Sequence, residues 1–100
     1  MEDVFANIEF TARVDFSAKE NVHPQKRHAF VFINAEPDSS KSALEDLKKV
    51  EEVIEIYPSC GTYDIIAKVG GESLEQLREV IFKQIKNLAT IKSTLTLMVI

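Results

Sequence analysis

Val53-Ile54-Glu55-Ile56-Tyr57-Pro58-Ser59-Cys60-Gly61-Thr62-Tyr63-Asp64-Ile65-Ile66-Ala67-Lys68-Val69 is the stretch whose reading decides the fold. Val53 to Tyr57 is short, β-branched and followed by Pro58, which suits a strand that ends there. Tyr63 to Val69 is a second strand, and the turn between them contains Gly61, expected to supply the backbone freedom of a tight connection. Asp64 stands at the head of an otherwise apolar strand. A carboxylate in that position must find a hydrogen-bond partner or water, which makes Asp64 a candidate ligand-contacting group. The competing reading is an Asx-type bond from Asp64 to its own backbone.

Outward from this pair, both flanks read as helices. Upstream, Pro37-Asp38-Ser39-Ser40 is a turn whose side-chain oxygens are expected to cap a helix, and Ala43, Leu44, Leu47 and Val50 then form one apolar stripe. Downstream, Gly70-Gly71 is expected to break the strand pattern. Ser73 with Gln76 gives a capping-box signature, and Leu74, Leu77, Ile81, Ile85 and Leu88 follow at three- and four-residue steps. Glu79 and Lys83, four apart, are expected to pair on the exposed side. Ala29 to Ala35 is a strand apolar on both faces, and Ile91 to Ile100 is the last strand. Ile8 to Phe16 alternates strictly and reads as a half-buried strand, whereas Ser17 to His28 has no period and reads as a loop.

After residue 28 the order is therefore strand, helix, strand, strand, helix, strand. That is the ferredoxin-like βαββαβ plan, an α+β sandwich with both helices on one face of a four-stranded antiparallel sheet, here preceded by an extra N-terminal strand. Residues 1–28 read as a linking strand and loop, and residues 29–100 as the folded domain. Phe30 and Phe32 point to one side of the sheet while Val31, Ile33 and Ala35 point to the other. The helices can cover only one set, and an exposed apolar face of that size is unusual for a monomer. A second sheet is expected to pack on it, most simply in a two-fold homodimer.

Composition narrows the function classes. One hundred residues, 45% apolar and 28% charged, suit one globular domain and disfavour disorder. No apolar run approaches the ~20 residues a bilayer crossing requires. The start, Met1-Glu2-Asp3-Val4, is acidic where a secretory signal is basic, so a cytoplasmic location is expected. A net charge of −4 opposes binding to phosphate backbones, and the short run His23-Pro24-Gln25-Lys26-Arg27-His28 reads as a solvated loop. The single cysteine, Cys60, excludes an internal disulfide and a Cys-x-x-Cys metal module and reads as a small turn residue; no metal or other cofactor is expected.

Several segments resemble the effector-binding and oligomerisation domain (RAM, regulation of amino acid metabolism) of the Lrp/AsnC transcription regulators. Ala29-Phe30-Val31-Phe32-Ile33 is similar to that family's first strand, Gly61-Thr62-Tyr63-Asp64 to its Gly-x-Tyr-Asp turn, and Ile91-Lys92-Ser93-Thr94-Leu95-Thr96 to its last strand. Ile8 to Asp15 resembles the linking strand that follows the DNA-binding helices in full-length members. Only Met1 to Asn7 precede it, too few for a pair of helices, so the chain is expected not to read DNA by that route and to be a stand-alone or truncated member. The resemblance implies a sensor that binds an amino acid or related small effector where dimers meet, commonly in an octamer, and that mixes with full-length relatives. By position, Gly61, Thr62, Tyr63 and Asp64 would line the pocket and Ser93, Thr94 and Thr96 would add hydroxyls. Asp64 would hold the ligand's ammonium and the hydroxyls its carboxylate. Many members carry an acidic residue where Thr62 stands, a departure that changes the charge offered to a ligand.

The residues also admit plainer roles. Tyr63 suits packing, and Ser93, Thr94 and Thr96 suit any strand. The sequence shows no nucleophile with a paired base, metal-ligand spacing or glycine-rich phosphate loop. The nearest enzyme alternative is a small dimeric ferredoxin-like protein such as a cofactor-free monooxygenase, which a closed pocket inside one subunit would favour.

Overall fold

A computed structural model describes residues 7–12, 27–59 and 61–99. Its elements run β1 (Asn7–Ala12), β2 (Arg27–Ala35), α1 (Ser40–Lys48), β3 (Val53–Pro58), β4 (Ile65–Gly71), α2 (Leu74–Val80) with a π-helical turn at Ile81–Ile85, and β5 (Ile91–Val99). The strand order is β1-β5-β2-β4-β3. β2, β3, β4 and β5 pair antiparallel, as the βαββαβ plan requires. The extra N-terminal strand joins the same sheet as a fifth member, parallel to β5. Residues 13–16 of the expected first strand, and most of the loop after it, lie outside the described residues.

Register sorts the side chains into two faces. Thr94, Ile33 and Ile65 form one cross-sheet row, and Thr96, Val31, Ala67 and Ile56 form the next. These rows lie beneath the helices, where Val31, Ile33, Ala67, Leu47, Leu77 and Ile85 are completely buried. Each fully buried aliphatic side chain contributes roughly 1.5–3 kcal/mol, so this layer holds the subunit together. The alternating rows, Leu95-Phe32-Ile66-Tyr57 and Leu97-Phe30-Lys68-Glu55, occupy the opposite face. There Phe30, Phe32, Ile66, Leu95 and Leu97 remain partly exposed and Tyr57 is 49% exposed.

The two helix starts are built differently. Ser73 accepts a hydrogen bond from the Gln76 amide at 3.1 Å, and Gln76 Oε1 accepts from the Glu72 amide at 2.6 Å, one residue before the usual target of a capping box. At α1, by contrast, Ser39 makes no capping bond; its hydroxyl donates to the Pro37 carbonyl at 3.4 Å. The expected side-chain cap is thus absent there because the chain enters through a turn closed by Ser39 N–H to Glu36 C=O (2.9 Å), with Asp38 in the left-handed region at φ 63°.

Gly70 and Gly71 do not break β4. They extend it, pairing with His28 and Arg27. Both positions are closely approached: a Cβ on Gly70 would press on Ile54 Cδ1, and one on Gly71 would sit 3.1 Å from Gln76 Oε1 and 3.2 Å from Leu77 Cδ2, so a side chain at either would require its neighbours to shift. The second helix also departs from a uniform α-helix. Lys86 N–H bonds to the Ile81 carbonyl five residues back, at 2.9 Å, while Ile81 and Ile85 stay buried. The expected Glu79–Lys83 pair is present at 3.5 Å on the exposed side.

Candidate functional site

The turn before β4 is organised around Asp64. Its amide donates to the Ile33 carbonyl at 2.9 Å, its carbonyl accepts from the Ser59 amide at 2.8 Å, and its Oδ2 accepts from the Ala35 amide at 2.9 Å. Ile33 pairs with Ile65 in the regular ladder, so beyond that row the carboxylate stands in for the strand carbonyl that the departing chain no longer offers. Asp64 therefore meets its need for a partner across 29 positions of sequence and not through its own backbone. Oδ1 keeps an acceptor direction for a ligand donor.

Gly61 and Thr62 are exposed, and the Gly61 amide donates to Ser59 Oγ at 3.3 Å. No described glycine has positive φ, and a Cβ on Gly61 would meet nothing nearer than Ser59 Oγ at 3.8 Å. The turn therefore does not need glycine's special conformation, contrary to the sequence expectation. Tyr63 lies against Phe32, ring centroids 5.8 Å apart at 56°, and so ties the turn to the open face of the sheet.

Two of the three candidate hydroxyls fall in a different place. Ser93 is half-buried opposite Asn34, at the end of the sheet where the Asp64 turn lies. Thr94 and Thr96 are only 3% and 4% exposed and face the helix layer. Because β2 separates β4 from β5, Asp64 and Thr94 lie two strands apart, roughly 9–10 Å at normal strand spacing. One subunit brings Gly61, Thr62, Tyr63 and Asp64 together. It does not bring Thr94 and Thr96 to them.

Thr94 and Thr96 instead form the floor of a cleft of about 350 Å³ between the β1–β5 edge and the second helix. Ile8, Ile81 and Phe82 supply its apolar walls, and Glu9, Arg78, Glu79, Lys83 and Lys86 its polar rim. Arg78 Nε reaches Glu9 Oε2 at 3.1 Å and fastens β1 to α2. Lys86 Nζ lies 4.4 Å from the centre of the Phe82 ring, which is itself 61% exposed. Sequence reading overlooked this cleft. Its available signal was Phe82, an aromatic that falls off the Leu74-Leu77-Ile81-Ile85 stripe and beside Lys83.

A sheet of this order with both helices on one face defines a ferredoxin-like α+β domain. The chain belongs to the Lrp/AsnC family: the model for the Lrp/AsnC ligand binding domain matches residues 28–100. The regulatory protein AsnC of Escherichia coli K12 is 33% identical over 95 residues, covering 95% of this chain and 62% of that protein. This chain thus spans under two thirds of the length of that relative. Its fold superposes on the structure of E. coli AsnC with a TM-score of 0.72 and 31% identity, over 82% of this chain and 58% of that one. On the crystal structure of FFRP-DM1 the TM-score is 0.71 at 30% identity, over 74% of this chain and 99% of that one.

Proposed function

We propose that this chain is an amino-acid-sensing and assembly module of an Lrp/AsnC-type regulator, acting without chemistry of its own and in the cytoplasm. Residues 29–100 form the sensing unit and residues 1–28 its linking strand and loop, except that Arg27 and His28, read from sequence as the end of the loop, extend β2 by pairing with Gly71 and Gly70. The observation that carries the assembly part is the open sheet face, where Phe30, Phe32, Ile66, Leu95 and Leu97 lie in adjacent rows with no helix over them. Two such faces packed about a two-fold axis give a dimer. The separation of Asp64 from Thr94 and Thr96 supports a site shared between subunits of neighbouring dimers, up to an octamer. One subunit offers the Gly61–Asp64 turn and another its hydroxyl-floored cleft. An amino acid bridges them, with its ammonium on Asp64, and so favours the assembly in which both halves meet. The family's regulators support the non-enzymatic reading, and full-length relatives are the natural partners for mixed assemblies.

Light scattering of the purified chain, with and without a panel of amino acids, tests sensing and assembly together. The expected result is a stable dimer whose further association responds to one or a few amino acids. A chain that stays monomeric at high concentration and ignores every amino acid overturns the reading.

A further inference from the structure

The open face of the sheet is not uniformly apolar. Its row Leu95-Phe32-Ile66-Tyr57 carries no charge, whereas Leu97-Phe30-Lys68-Glu55 ends in an ammonium and a carboxylate on neighbouring strands. Lys68 is half-buried, with Phe30 beside it in the row and Ile66 two positions before it on β4. A β-bulge between Val53 and Glu55 turns Ile54 toward Gly70, close enough that any side chain at Gly70 would strike it. Among the described residues no ion pair or hydrogen bond reaches the Lys68 ammonium. Glu55, directly across in the register, instead accepts from the Tyr57 hydroxyl at 2.8 Å. Water serves both charges while the face is open. Covering the face removes that water, and a charge left there without a counter-charge opposes the packing. The covering surface must therefore bring a carboxylate to Lys68. A second copy of this chain carries one in the same row, and two-fold pairing is reciprocal: a contact from Lys68 to Glu55 of the partner subunit is repeated from Glu55 to Lys68 of the partner subunit.

We propose that Lys68 and Glu55 select what the open face pairs with: a second copy of this chain, or a related chain that offers a carboxylate to Lys68 and an ammonium to Glu55, and not a relative that lacks them. This rests on the reading that the open face assembles with another such sheet, and it adds the rule by which partners are accepted. Phe30, Ile66 and Ile54 supply adhesion that any apolar face would share. The two charges discriminate, because a like charge placed opposite either one is penalised.

The test is charge reversal, read by sedimentation equilibrium of Lys68→Glu, Glu55→Lys, their equimolar mixture and the double variant. Each single variant sets like charges opposite one another and should self-associate about tenfold more weakly than the parent, or worse. In the equimolar mixture both contacts again join opposite charges, so mixed dimers should form with an affinity within about threefold of the parent's. Native mass spectrometry with one variant isotope-labelled counts those mixed dimers. The double variant, Lys68→Glu with Glu55→Lys, should pair with itself and reject the parent. Circular dichroism should remain native throughout, since neither side chain belongs to the buried layer under the helices. Single variants that self-associate as tightly as the parent, a mixture without mixed dimers, or a double variant that exchanges freely with the parent overturn the selection rule and leave sheet-to-sheet assembly standing. A parent chain that stays monomeric overturns both.

Discussion

Replacing Asp64 separates its two possible duties. The Ala35 amide that it accepts belongs to a residue only 8% exposed, so Asp64→Ala leaves a largely buried N–H without its partner. Such a loss costs about 1–3 kcal/mol. For a domain of this size each kcal/mol lowers Tm by roughly 4–8 °C, so a fall of roughly 4–24 °C is expected. Asp64→Asn keeps a carbonyl oxygen in the same place and should cost less than about 1 kcal/mol, since a neutral acceptor replaces a charged one. Urea unfolding followed by circular dichroism measures both, with an unchanged m-value confirming that the native state alone was altered. The Asn variant then tests sensing cleanly: if the carboxylate holds the ligand's ammonium, it abolishes the assembly response while the fold remains intact. Two outcomes refute the reasoning about stability, namely an Ala variant as stable as the parent, or an Asn variant as damaged as Ala. A full ligand response in Asn removes the carboxylate from the site.

Three further expectations follow from the local geometry. Ser73→Ala, which deletes the 3.1 Å bond to the Gln76 amide, should cost about 0.5–2 kcal/mol, whereas Ser39→Ala, whose hydroxyl caps nothing, should fall within about 0.5 kcal/mol of the parent in denaturant titration. Gly61→Ala should leave the urea midpoint unchanged or raise stability by about 0.4–1 kcal/mol, because the position has ordinary φ and open space; a large destabilisation contradicts that backbone description. Tyr57 donates to Glu55 at 2.8 Å, and this bond, with some desolvation and the nearby negative charge, holds the phenol above its ordinary pKa. The neutral phenol is favoured in the fold, so its contribution is complete below about pH 10 and is lost as pH rises through the raised folded value. Ultraviolet titration should show one tyrosine ionising late, and Glu55→Gln should bring it back toward the ordinary range.

The elements and their order were legible from periodicity alone. Ile8, Phe10 and Ala12 alternate as a strand, and Leu74, Leu77, Ile81 and Ile85 step as a helix, because each local pattern records which side must leave water. The Gly-x-Tyr-Asp turn was equally visible as an acidic residue at an apolar strand head. Its reason was not. The partner of Asp64 is an amide 29 positions away, and no local rule could name it. Gly70 and Gly71 show the same limit: they look like breakers in sequence and are strand residues because His28 and Arg27 of β2, more than forty positions away, pair with them.

Sequence by itself determined the α+β class, the division of the sheet into two apolar faces of which the helices cover one, and the residue types available to a ligand, since burial, alternation and capping act over a few neighbouring positions. Only the tertiary structure decided that Thr94 and Thr96 face the helices at the β1–β5 edge while Asp64 lies across β2 on the other half of the sheet. Strand order and register carry that information, and they are set by contacts between segments far apart in the chain, where a shift of one residue exchanges the two faces.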